Sequence, residues 1–112
     1  CWPAWSRSSS PIAIPAGGAT LEFQVAYDTE EAYDFCYVEV STNNAVSWQQ
    51  LAAWSGRSPG FPAYQGRSLS LANFANRDLL VRFRYNTDPY FLGAGFFVDD
   101  VKHLIDRFTK RL

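Results

Sequence analysis

Residues 20–27 read TLEFQVAY and alternate without a break. Leu21, Phe23, Val25 and Tyr27 fall on one side, and Thr20, Glu22, Gln24 and Ala26 on the other. Successive side chains of an extended chain point to opposite faces, so this run predicts a strand with one face buried. The same reading extends outward. FCYVEVS (35–41) sets Cys36, Val38 and Val40 against Tyr37, Glu39 and Ser41. DLLVRFRYN (78–86) sets Leu79, Val81, Phe83 and Tyr85 against Leu80, Arg82 and Arg84. WQQLAAW (48–54), ended by Gly56, and FFVDDVKHLI (96–105) read as two more strands. RSLSLANF (67–74) reads as a short strand through Leu69 and Leu71 that runs into a turn.

The intervening segments are turn-formers. TNNAVS (42–47) carries Asn43 and Asn44, which tolerate left-handed backbone angles. SGRSPGFPAYQG (55–66) holds three Gly and two Pro and is the longest irregular stretch. Residues 1–19 form a lead-in rich in Ser, Pro, Ala and Gly. Ile12 and Ile14 lie between prolines there and suit an edge strand, because Pro cannot donate to a central ladder. DRFTKRL (106–112) reads as one helical turn or a tail, within a terminal stretch of 104–112. Strands separated by Gly, Pro and Asn turns, with no convincing helix, predict an all-β sandwich or barrel. At 112 residues the chain is expected to form a single domain, and its Cys1 start and lack of Met suggest a piece of a longer protein.

Composition narrows the chemistry. Ten basic and eleven acidic residues nearly cancel, so no broad field recruits nucleic acid or an anionic membrane. The apolar runs are too short to span a bilayer. The two cysteines either form one bridge or, the favoured reading, leave Cys36 as a small buried hydrophobe and Cys1 at a frayed end. The lone His103 is expected on the surface or at a strand edge and gives no base for a nucleophilic triad. Cysteines are too few for zinc, and no Gly-rich loop precedes a helix. Paired carboxylates such as Asp99 and Asp100 could serve a small glycosidase, but a sandwich this small leaves little room for a cleft with opposed carboxylates. Catalysis is therefore not expected.

Calcium suits the oxygen donors better. The turn 28–34 packs Asp28, Glu30, Glu31 and Asp34 together, and Asn86, Asp88, Asp99 and Asp100 add to them. If 20–27 and 96–102 are antiparallel neighbours, that turn and the loop 86–95 share one end of the sandwich. Asp28, Asp34 and Asp88 are then the candidate ligands at the loop end. The alternative is a solvated acidic turn balanced by Arg82 and Arg84. The aromatics Trp48, Trp54, Phe61, Tyr64, Tyr90 and Phe91 lie in or beside turns. Exposed rings there would stack on sugars or anchor a protein contact, and Trp48 and Trp54 could instead cap the core. Tyr90, Phe91, Trp54 and Tyr64 are the candidate ligand-binding residues.

In combination, YDTEEAYDFCYVEVSTNNAVSWQQL, SLSLANFANRDLLVRFRYNTD and GAGFFVDDV resemble the β-rich accessory domains of secreted immune inhibitor A-type metallopeptidases. Those domains are similar to the MAM jelly roll of cell-surface proteins. The resemblance runs from about Leu21 to Val101. It implies a two-sheet antiparallel jelly roll, extracellular and non-catalytic, attached to a peptidase, adhesin or other surface protein. It also implies a cation held by the Asp-Asp strand, here Asp99 and Asp100. The MAM cysteine pattern is absent, and so is the H-E-x-x-H of the peptidase. The expected function is an accessory or adhesion module that binds carbohydrate or extracellular protein, with a structural spacer as the alternative.

Overall fold

A computed structural model describes residues 5–7, 11–29, 35–86, 95–105 and 108–111. Among the described residues nine strands follow in order: β1 (Trp5–Arg7), β2 (Ile12–Ala13), β3 (Thr20–Asp28), β4 (Phe35–Ser41), β5 (Gln49–Trp54), β6 (Gln65–Ser70), β7 (Asp78–Asn86), β8 (Gly95–Ile105) and β9 (Phe108–Arg111). A 3-10 turn, Ala72–Phe74, joins β6 to β7. One sheet has the order β1-β7-β4-β5, with β2 also on β7; the other has the order β6-β3-β8-β9. All pairings are antiparallel. The protein is an all-β sandwich of two antiparallel sheets.

The alternation read from the sequence sets the inner faces. Leu21, Phe23, Val25 and Tyr27 of β3 are buried with Cys36, Val38 and Val40 of β4 and Leu79, Val81 and Phe83 of β7. The Phe23 ring meets Phe83 edge-on at 5.2 Å and Trp54 at 5.9 Å, which ties the two sheets together. Cys36 is buried in the core; Cys1 lies outside the described residues.

Three segments depart from the sequence reading. Phe108–Arg111 is a strand, not a helical turn or a tail, and pairs with the end of β8 from Ile105↔Phe108 to Lys102↔Arg111. The edge of β8 would otherwise present unpaired backbone groups, which a short neighbouring strand satisfies. His103 is 6% exposed rather than at the surface, because the ladder places it opposite the buried Leu21. In the β4–β5 hairpin the left-handed residues are Asn44 (φ 58°) and Ala45 (φ 71°), not Asn43. Asn43 instead anchors the turn: its side chain accepts from Ser47 N at 2.9 Å and donates to Ser47 Oγ at 2.7 Å.

Candidate functional site

The ladder of β3 and β8 organises one end of the sandwich. Asp28 lies opposite Gly95, and in the other sheet Phe35 lies opposite Asn86. The strand ends that flank the acidic turn and the loop after β7 therefore share one end. Glu30, Glu31, Asp34, Asp88, Tyr90 and Phe91 lie outside the described residues. Residues 56–58 run along the end of β3, with Asp28 and Arg57 bridged in antiparallel fashion. Side chains extend this ladder. Ser58 Oγ accepts from Tyr27 N at 3.0 Å and donates to Tyr27 O at 3.2 Å. Thr29 Oγ1 accepts from Gly56 N at 2.9 Å and donates to Gly56 O at 3.0 Å. Both side chains are buried and substitute for strand partners.

Two of the aromatic candidates fall in different surroundings. Trp54 stacks on Tyr27 at 6.3 Å and is half-buried against the core. Tyr64 is 42% exposed.

Asp99 and Asp100 sit away from that end, in the middle of β8. Gln24 pairs with Asp99 and Glu22 with Lys102, so β8 carries one residue more than β3 between these rungs. This is a β-bulge, with Asp100 in the left-handed region at φ 53°. Its backbone N donates to Asp99 Oδ1 at 2.8 Å. The extra residue lets Val98 and Val101 both point into the core while both acids point outward. From the rung of Asp28 to that of Asp99 is four residues, about 13 Å along the strand. Among the described residues no three His, Cys, Asp or Glu side chains gather as metal ligands.

Above the bulge, the outer face of β6-β3-β8 holds a polar groove of about 270 Å³, lined by Glu22, Gln24, Gly66, Arg67, Asp100 and Lys102 among others. Sequence reading missed it because its residues come from three strands distant along the chain. The only local signals were the outward polar set of β3 and Gly66 inside a strand.

The outer face of the other sheet carries an ion-pair ladder. Glu39, 7% exposed, accepts from Arg82 Nε at 2.7 Å and from Arg84 Nε at 3.0 Å. Arg82 lies over the Trp48 ring at 4.2 Å and Arg84 over the Tyr37 ring at 4.3 Å, with Phe35 stacked on Tyr37. Burial pushes the Glu39 carboxyl up, but hydrogen bonds from Arg84 and Arg82 and their charge outweigh it and hold it below the ordinary value. The same hydrogen bond raises Arg84. These arginines thus have a partner within their own sheet, in Glu39 on the adjacent strand.

A two-sheet sandwich with a polar outer groove is the class that these features define. No family model matches the chain. It is 24% identical over 92 residues to Bacillopeptidase F of Bacillus subtilis, a match that covers 81% of this chain and 6% of that protein. It is 30% identical over 112 residues to the pre-pro-metalloprotease PrtV of Vibrio cholerae, covering 90% of this chain and 12% of PrtV. The chain thus corresponds to a small part of each of these peptidases. No helix among the described residues is long and apolar enough to cross a membrane.

Proposed function

We propose that the chain is a non-catalytic accessory module of a secreted bacterial peptidase, of jelly-roll type, that binds carbohydrate or protein outside the cell. The observation that carries this reading is the pairing of high coverage of this chain with 6–12% coverage of two peptidases. Two proteases share a segment of this size, and the segment here has one His, buried in a strand, and no H-E-x-x-H. A structural spacer is the second reading. It is favoured by the ladder on the five-stranded sheet, whose charges are satisfied internally.

The test is to assay the 112-residue chain for casein cleavage and for co-sedimentation with insoluble cell-wall polysaccharide. The module reading expects no cleavage and retention on the polysaccharide or on an extracellular protein fraction. Cleavage that survives purification would overturn it. Absence of both activities would favour the spacer.

A further inference from the structure

We infer that the groove on the outer face of β6-β3-β8 is a binding site for a neutral saccharide. This rests on the carbohydrate arm of the proposed function and moves its site from the loop end to the sheet face. Two outward rungs define the groove. Gly66, Gln24 and Asp99 lie side by side across the three strands, and Ser68, Glu22 and Lys102 form the next row. Strand spacing makes this patch about 10 Å across and about 7 Å along the strands.

Two backbone features open it. Gly66 contributes no side chain, so the space beside Gln24 stays vacant. The bulge then turns the Asp100 carboxylate toward the same groove. A non-glycine residue at positive φ within a central strand is strained, and such strain and such bulges concentrate at binding sites.

The chemistry of the lining selects the ligand class. Glu22 and Asp100 are acceptors, Arg67 and Lys102 are donors, and Gln24 and Ser68 do both. Glu22 and Asp100, with Asp99 on the neighbouring outward position, face Lys102 and the edge residue Arg67, so the groove has no net positive charge to draw in an anion. Ser68 Oγ reaches Glu22 at 3.5 Å and Lys102 Nζ reaches Asp100 at 3.9 Å, so donors and acceptors alternate across the groove. Sugar hydroxyls both donate and accept, and vicinal pairs of them bridge such alternating groups. One rung beyond Asp99, Phe97 is 37% exposed and supplies an apolar face for the C–H side of a ring.

The experiment is a titration of the ¹⁵N-labelled chain with tetrasaccharides of β-1,4-linked glucose, β-1,4-linked N-acetylglucosamine and mannose at millimolar concentration. Amide shifts are read for the wild type, Gly66→Tyr and Gln24→Ala. A Cβ at Gly66 meets only the Gln24 amide at 3.5 Å, so Gly66→Tyr fills the groove without disturbing the fold, which an unchanged melting temperature checks. The expected result is that one probe shifts the amides of Gln24, Ser68 and Lys102, and that Gly66→Tyr weakens binding about tenfold or more. Shifts centred on Trp54 and Tyr64, unchanged in Gly66→Tyr, would overturn the groove while leaving carbohydrate binding in place. No shift with any probe would overturn the groove and the carbohydrate arm together, leaving protein binding or the spacer.

Discussion

Arg82 Nε donates to Glu39 Oε1 across the β4–β7 ladder at 2.7 Å, and Arg84, two residues further along the same strand, donates to the same oxygen at 3.0 Å. One carboxylate therefore holds two guanidiniums, each of which also covers an aromatic ring. Removing it takes an ion-pair partner from two half-buried cations on one face. Glu39→Ala is expected to lower stability by about 2 kcal/mol, the range for hydrogen bonds to charged groups. Glu39→Gln should cost less, because an amide oxygen still accepts. Urea unfolding midpoints of the two variants check the order.

The same group makes stability depend on pH. Its folded value lies below the ordinary 4.5, so the unfolded chain takes up this proton more readily. The stabilisation is complete above the ordinary carboxylate value and is lost as pH falls through the folded one. The gap in urea midpoint between wild type and Glu39→Gln is expected to be constant above about pH 5.5 and to shrink at lower pH. A gap that does not move with pH would mean that charge contributes nothing to the ladder.

At the bulge, the backbone angle of Asp100 (φ 53°) is one that β-branched residues resist. Asp100→Val is expected to destabilise by about 1–2 kcal/mol, while Asp100→Gly should be neutral or better. Thermal melts of both distinguish the backbone requirement from a need for the carboxylate. Equal losses would point to the carboxylate.

In the β4–β5 hairpin, Asn44 and Ala45 both have positive φ, the geometry for which Asn-Gly is the favoured pair. Ala45→Gly relieves a Cβ in a left-handed position and is expected to raise stability by about 1 kcal/mol. A lower melting temperature would show that the added freedom of the unfolded chain dominates.

The calcium expectation has its own test. About 13 Å of strand separates the rungs of Asp28 and Asp99, too far for one ion with ligands at about 2.4 Å. An ion-dependent rise in melting temperature is thus expected to disappear in Asp28→Ala and to survive in Asp99→Ala. Equal melting in EDTA and in calcium removes the ion from the loop end.

Most of the sandwich was legible along the chain because it depends on local alternation. TLEFQVAY, FCYVEVS and DLLVRFRYN each present one apolar face, and those faces are the ones buried. The antiparallel pairing of β3 with β8, posed as a condition, is the pairing observed. Less was legible where a period of two breaks. Val98 and Val101 are three apart, which on a regular strand would place them on opposite faces. A bulge reconciles them, and the adjacent acids then serve the register of the strand as well as the surface.

The sequence by itself determined the fold class and the inner faces, because each follows from residue type and short-range spacing. Tertiary structure alone decided that Glu39 meets Arg82 and Arg84, that His103 is buried, and that Phe108–Arg111 completes a sheet. It also decided that Gly66, Gln24, Glu22 and Lys102 form one surface. Apart from Phe108–Arg111, which folds back on the adjacent β8, the segments concerned are separated by dozens of residues, and only the pairing of strands, set by where the core must close, brings them into register.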